Sequence, residues 1–313
     1  MKYVTVQPDN KYFEWQLKTL HQNMIEHNMF NDSITVIGYD RNPSSWAIEY
    51  KNMYPDKVIL IRDTRSWENR TYAPSIRPHL LKKLIDLNPE LLNTDWMYHD
   101  SDILFTKRID WASLVKDSSN VYVSDTISYI GSEYIRSKGE GLLQEMCKVV
   151  GIDPVLVDIN EFNSGGAQYI FGKDVVIDWD KIEHDGVKLF HVAIQSAQKY
   201  MPEYPLQSWT ADMWSMLWNL WNTGYKTKVI PEMNFCWATD DIAEYAKSNI
   251  YHNAGVTGTT GKHKNLFYKA AFINRSPFGR NLNYVDKTKC SFKYAQAIDR
   301  AHKNNLKANY RMN

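Results

Sequence analysis

The chain has 313 residues, 43% of them hydrophobic and 23% charged, with a net charge of +1, which is the balance of a globular α/β-sized chain with ample core. Cys147, Cys236 and Cys290 are far apart and form no C-x-x-C pair, so neither a disulfide framework nor a zinc knuckle is indicated. The opening stretch "MKYVTVQPDNKYFEW" lacks a signal peptide's apolar run, and nothing approaches the roughly 18 apolar residues of a membrane span, so a soluble, cytoplasmic protein is expected.

In chain order, "KYVTV" (2–6) has strand character, and the segment after it carries apolar residues at helical spacing behind Asp9 or Asn10 as a cap. "SITVIGYD" (33–40) and "KVILIRD" (57–63) are nearly continuous apolar runs, as expected of parallel strands covered on both faces. Residues 75–87 read as a helix. "WMYHDSDILF" (96–105) reads as an apolar strand broken by two acids, 120–126 as a strand, and "EYIRSKGEGLLQEMCKVVG" as a helix despite its glycines. "GGAQYIFGK" (165–173) is strand-like. "DGVKLFHVAIQSAQKYM" and "TADMWSMLWNLWNTG" are helices, the second capped at Gly224. "KTKVIPEMNFCW" completes the series as a last strand. No repeat of 20 to 50 residues is present. Strand–helix alternation predicts a doubly wound, mostly parallel sheet, whose ligands bind beyond the carboxyl ends of the strands. Asp40, Asp63 and the pair Asp100/Asp102 stand at such ends.

Asp100 and Asp102, at i and i+2, face the same side of an extended segment. Like charges so placed repel unless a cation sits between them, so neutralising one should relieve the metal-free protein. Carboxylate oxygens suit Mg²⁺ or Mn²⁺, which in turn neutralise a diphosphate. A D-x-D also occurs in loops as a turn or a cap, and spacing alone leaves that alternative open.

With this pair the chain resembles the GT-A-fold glycosyltransferases, Rossmann-like enzymes that use nucleotide sugars and hold Mn²⁺ or Mg²⁺ with a D-x-D. The resemblance runs over about residues 1–260 in motif order rather than in close identity. "YAPSIRPHLL" is similar to the arginine helix that precedes the D-x-D in several of these families, which implies Arg77 as a donor ligand; a surface arginine on an amphipathic helix is the alternative. "EFNSGGAQYIF" resembles the family's N-x-G strand start. The resemblance implies that Asn163, Ser164, Gly165 and Gly166 line the donor sugar, glycines allowing close approach to the backbone; a plain turn before a strand is the alternative. "WTADMW" stands where the family has an acid pair at a helix start. Ala211 replaces the glutamate, leaving Asp212 as base for an inverting reaction or as orienter of the acceptor in a retaining one. An aspartate in a first helical turn is also explained by the helix dipole. "IYHNAGVTG" (250–258) is similar to the C-terminal histidine motif, which implies His252 as the third metal ligand. The loop after it holds Gly255, Gly258 and Gly261 and brings Lys262 and Lys264 toward the phosphates. The implied donor is a UDP-sugar, with its nucleotide near Gln7, Asp9, Asp40 and Asp63.

Trp209, Trp214, Trp218 and Trp221, three to five apart on one expected helix, have the spacing of core packing more than of a sugar platform. Trp237 precedes two acids, where an aromatic ring can stack on an acceptor. Residues 262–313 carry 12 Lys and Arg against Asp286 and Asp299 alone. This gives an expected division into a catalytic domain, 1–261, and a basic extension, 262–313, that suits a polyanion. A Lys/Asn-rich chain with no membrane anchor resembles the phage enzymes that glycosylate hydroxymethylated bases in DNA, which implies DNA as acceptor; a glycan or a protein hydroxyl remains open. The extension also has an apolar side, Tyr294, Ala297, Ile298, Ala301 and Leu306, fit for docking. A nucleotidyltransferase or sugar-nucleotide hydrolase could use the same acids, and a non-catalytic nucleic-acid binder would need only the basic tail.

Overall fold

The structure, a computed structural model, describes residues 1–200 and 203–312, and the side chains of Ala197 and of 306–312 lie outside that description. Leu306 of the expected docking face, with Lys307 and Arg311 of the basic tail, therefore falls outside the described side chains.

The strands are β1 (Lys2–Pro8), β2 (Ser33–Tyr39), β3 (Val58–Arg62), β4 (Trp96–Tyr98), β5 (Ile103–Phe105), β6 (Asn120–Asp125), β7 (Gly165–Phe171), β8 (Lys226–Val229), β9 (Phe235–Trp237) and β10 (Ile250–His252). The helices are α1 (Lys11–Glu26), α2 (Ser45–Met53), α3 (Ile76–Leu87), α4 (Ile127–Ile130), α5 (Ser132–Arg136), α6 (Leu142–Val150), α7 (Pro154–Ile159), α8 (Trp179–Lys199), α9 (Ala211–Asn222), α10 (Ile242–Lys247) and α11 (Ser291–Met312). A seven-stranded, mostly parallel sheet has the order β3-β2-β1-β4-β7-β6-β8, and a three-stranded sheet the order β5-β10-β9. The α/β class expected from the alternation of elements is thus the one found.

Three expectations change. The stretch 96–105 is two strands: β4 pairs with β1 in the large sheet, β5 pairs with β10 in the small one, and Asp100 and Asp102 lie on the link between them. Residues 226–237 are likewise two strands, β8 and β9, separated by a turn at Pro231–Met233; proline there removes a ladder hydrogen bond. The glycine-bearing helix of 133–151 breaks into α5 and α6, with Gly141 at φ +80° opening α6 and Gly151 at φ +77° closing it. The sheet also contains a reversed strand, since β7 runs antiparallel to both β4 and β6.

By density of contacts the chain forms two compact units. The first comprises Met1–Val6, Ile61–His99 and Trp111–Pro231. All seven residues of β7 are buried there, and the α9 tryptophans Trp214, Trp218 and Trp221 are core residues, as their spacing predicts. Two of them satisfy their indole N–H groups internally: Trp214 donates to the Ile130 carbonyl at 2.9 Å and Trp221 to Thr227 Oγ1 at 2.9 Å. Gly224 at φ +87° ends α9 as expected, its N–H donating to the Trp221 carbonyl at 3.0 Å.

The second unit comprises Gln7–Leu60, Asp100–Asp110 and Glu232–Asn313. Asn10 is the cap of α1, its side chain accepting from the Phe13 N–H at 3.1 Å. Asp9 does something else: it accepts from the Ser44 N–H at 2.7 Å and the Ser44 hydroxyl at 2.6 Å, tying down the start of α2. The core of this unit gathers Trp15, Leu104, Tyr251, Phe267, Phe272, Tyr294 and Ile298. Residues of the basic extension therefore supply part of it, and α11 packs along α1. No helix among the described residues is long and apolar enough to cross a membrane.

Candidate metal centre

The link Asp100–Asp102 is held from both sides of the small sheet. Antiparallel pairing of β5 with β10 sets Ile103 opposite His252, although 149 residues of chain separate them. Asn253 N–H then donates to the Asp102 carbonyl at 2.9 Å. On the α1 side, buried Asn23 exchanges two hydrogen bonds with the backbone of Phe105, at 3.0 and 2.8 Å. Ser101, between the two acids, donates to Gln16 Oε1 at 2.9 Å. Each contact satisfies a buried polar group while fixing where the aspartates point.

His252 turns Nε2 toward both carboxylates, 3.6 Å from Asp100 Oδ2 and 3.4 Å from Asp102 Oδ1. Its ring lies edge-on to Phe235 (centroids 5.0 Å) and parallel to Trp237 (6.5 Å, 12°), so its orientation is set by packing. One ligand atom from each of Asp100, Asp102 and His252 falls within 4.8 Å of the others. A cation that binds oxygen at 2.0–2.1 Å puts neighbouring ligands about 3 Å apart, so a modest closing of these side chains encloses it. Two carboxylates and one imidazole form a mixed oxygen–nitrogen set of the kind that divalent cations take. The residues present fit a divalent cation.

A residue that sequence patterns do not single out completes the cluster. The Lys269 ammonium lies against Asp102 Oδ2. Burial would push the Asp102 carboxyl up, but the charges of Lys269 and then His252 outweigh it and hold it far below the usual carboxylate range. Burial would likewise lower the Lys269 ammonium, and the Asp102 charge keeps it raised instead. Asp102 and the lysine are charged together at neutral pH. Of the remaining candidates of this unit, Gln7 is buried at the end of β1, Asp40 is exposed after β2, and Lys262 and Lys264 are exposed on the turn beyond Gly255 (φ +84°).

In the first unit, Arg77 and Asp212 meet. Arg77 Nη1 donates to Asp212 Oδ2 at 2.9 Å, and the Tyr72 hydroxyl lies 2.9 Å from Asp212 Oδ1 while accepting from the Asp212 N–H at 3.0 Å. Burial, and then the Asp212 charge, push the Tyr72 phenol well above its usual range, so it stays a donor. Both carboxylate oxygens of Asp212 are thus engaged. Trp209, the residue whose carbonyl Tyr72 also reaches at 2.7 Å, departs from the core packing expected of it: it lies on the turn Ser208–Thr210 ahead of α9, is 57% exposed and stacks on Tyr129. Asp63 is buried in an ion pair with Arg65 at 2.9 Å. The Asn163 carbonyl accepts from Thr227 Oγ1 at 2.9 Å, and Ser164 is buried. At Gly165 the close approach is made by the protein itself: a Cβ there would lie 2.2 Å from Val123 Cγ2 and 2.6 Å from the Ser124 carbonyl oxygen. At Gly166 it would meet Met213 Cε at 2.5 Å.

No protein-family model and no curated protein matches the sequence. Among solved structures, the chain is similar to the galactosyltransferase LgtC in complex with donor and acceptor sugar analogues, at 12% identity over 95% of each chain with a TM-score of 0.40. An active-site mutant of LgtC gives 12% identity over 95% of each chain and 0.43. A glycosyltransferase involved in glycosylation of the major capsid of PBCV-1 gives 10% identity over 84% of this chain and 95% of that one, at 0.38. Such values transfer no residue's role.

Proposed function

We propose that this protein is a metal-dependent glycosyltransferase that moves a hexosyl or pentosyl group from a nucleoside-diphosphate donor to a hydroxyl acceptor. The observation that carries the reading is the convergence of the pair Asp100/Asp102 with His252, from a distant part of the chain, so that their ligand atoms lie within 4.8 Å of one another. The GT-A resemblance in motif order is consistent with it.

In this reading Asp100, Asp102 and His252 hold Mn²⁺ or Mg²⁺. The ion, when bound, supplies Lewis-acid charge for a leaving nucleoside diphosphate. Lys262 and Lys264, on the glycine-rich turn, add point charges for phosphate oxygens. Arg77 and Tyr72 fix Asp212 so that its carboxylate orients the acceptor hydroxyl, the role expected of it in a retaining reaction. The donor proposed is a UDP-sugar, and Gln7, Asp9, Asp40, Asn163 and Ser164 are its proposed surroundings; Asp63, held by Arg65, and Gly165 and Gly166, closed in by Val123 and Met213, are left to the fold. The acceptor proposed for first trial is a hydroxymethylated base in DNA, on the strength of the basic residues of 262–313, which would place the protein in the cytoplasm of the infected cell.

Incubation with a panel of nucleotide sugars and Mn²⁺, with and without EDTA, tests this reading. Release of nucleoside diphosphate that EDTA abolishes supports transfer. Release of sugar phosphate supports the nucleotidyltransferase or hydrolase instead. No turnover of any donor leaves the acids a structural pair on a nucleic-acid binder.

A further inference from the structure

The candidate metal cluster already contains a cation. The Lys269 ammonium lies on Asp102 Oδ2, with Asp102 8% and Lys269 29% exposed. This lysine is no drifting surface arm. Its backbone opens the turn Lys269–Phe272, and the Phe272 carbonyl accepts from Trp15 Nε1 at 3.3 Å. The Phe272 ring stacks on Phe267 at 5.3 Å and 6°, within the core that also holds Tyr294. The base of the side chain is therefore anchored while its tip points into the cluster.

Charge balance governs how a metal can enter. The ammonium of Lys269 already lies on one oxygen of Asp102, so a lone divalent cation must share Asp102 with the ammonium or displace it. A displaced ammonium with nothing to pair with is a partly buried, uncompensated charge, which is costly. A diphosphate changes the balance. Its oxygens accept charge-assisted hydrogen bonds from an ammonium as a carboxylate does, and a lysine's flexible stem with three donors can exchange one partner for the other.

We propose that Lys269 couples the two ligands of the site: it occupies Asp102 until a diphosphate offers it oxygens, so the divalent cation binds weakly alone and tightly together with a nucleoside diphosphate. The inference rests on the metal reading above. Coupling of this kind is reciprocal, and typical coupling free energies correspond to about 5- to 150-fold in affinity. The exchange also means that the metal ligands are never left as a bare pair of acids, which is why the metal-free protein tolerates them.

The test is equilibrium dialysis of MnCl₂ against the full chain, alone and with UDP, GDP or ADP, manganese being measured on both sides of the membrane. It uses wild type, Lys269→Met and Lys269→Arg, with far-UV circular dichroism as the folding control and Lys269→Gln in reserve should the methionine variant not fold. Wild type is expected to take up Mn²⁺ about tenfold more tightly with a diphosphate present than without. Lys269→Met should bind Mn²⁺ alone several-fold more tightly than wild type and gain little from the diphosphate, and Lys269→Arg should behave like wild type. Equal diphosphate enhancement in wild type and Lys269→Met, or Mn²⁺ binding alone that is no tighter in Lys269→Met, overturns the coupling and leaves the metal site standing. A wild-type chain that takes up no Mn²⁺ under any condition overturns the metal reading and the coupling with it.

Discussion

Asp63→Asn separates a structural acid from a nucleotide ligand, because the two roles predict opposite results. Asp63 and Arg65 are each only 7% exposed, and the arginine wraps the carboxylate: Oδ1 accepts from the Arg65 N–H at 3.0 Å and Nε at 3.1 Å, and Oδ2 from Nη2 at 2.9 Å. The other guanidinium nitrogen, Nη1, donates to Ser75 Oγ at 2.7 Å and to the Ala73 carbonyl at 3.3 Å, ahead of the helix that carries Arg77. Removing one member of such a buried pair costs about 3–5 kcal/mol, most of it for the stranded charge. Asparagine keeps one acceptor and Arg65 keeps Ser75, so about 3 kcal/mol is expected, at the lower end. The pH dependence has a definite sign. Burial would raise the Asp63 carboxyl, but the hydrogen bonds and charge of Arg65 outweigh it and hold it below the usual range. A depressed folded-state value contributes stability above the unfolded value, near pH 4, and loses it as the pH falls further. Urea unfolding followed by tryptophan fluorescence should therefore show the full difference at pH 7 and a smaller one at pH 3. A variant within about 0.5 kcal/mol of wild type at pH 7, the range of a neutral surface change, would refute the clasp, the more so if UDP binding alone were lost.

Asp102→Asn should lower Mn²⁺ uptake by at least about tenfold and also destabilise the EDTA-treated protein, because it strands Lys269; a melting temperature that rises would show that repulsion between Asp100 and Asp102 is the larger effect. His252→Ala should raise the Mn²⁺ concentration for half-maximal activity, and an unchanged titration would make its packing against Trp237 and Phe235 its whole role. Gly165→Ala should cost about 1–3 kcal/mol by overpacking against Val123 and the Ser124 carbonyl, read as a shift of the urea midpoint without a change in m. Replacing exposed Arg275, Arg280 and Lys287 by serine should lower the salt slope of duplex DNA binding by about 0.9 for each phosphate that is no longer neutralised; no salt-dependent binding by the unaltered chain would end the DNA reading. Truncation near Thr288 is a poor substitute, since it removes buried Tyr294, Ala297 and Ile298 along with the charges.

Much of the fold was legible because β2 and β3 of the large sheet are nearly continuous apolar runs and the long helices carry 3.6-residue patterns. The strand β7 shows the limit. "GGAQYIFGK" reads as a strand, but nothing local says that it runs against its neighbours, because direction is set by where the chain arrives. The same limit explains 96–105 and 226–237. Residues 99–102 and Pro231–Met233 interrupt these stretches locally, but only a pairing partner distant in sequence, β10 for β5 or β10 for β9, shows that the chain has passed into another sheet. The short strand β10 itself has only three residues, too few for a period to declare itself.

The site divides in the same way. Asp100 and Asp102 announced themselves because two acids inside an apolar run demand a physical reason, and His252 followed from the histidine motif of the resemblance. Lys269 left no such mark. It stands in "FYKAAF" as one of 12 basic residues in the last 52, and composition there pointed outward to a polyanion. What sets it apart is its flank: Phe267 and Phe272 are buried against Trp15, so the backbone from which the lysine extends is anchored in the core. A cation between two core aromatics in a basic tail was the available signal, and using it required knowing that the tail belongs to the core. The consequence reverses an electrostatic expectation. Two acids alone imply that neutralising either relieves strain; two acids with an anchored ammonium imply that neutralising Asp102 creates it. Lys269 thus recasts Asp100 and Asp102 from a repelling pair awaiting a metal into part of a compensated cluster that a metal must enter by exchange.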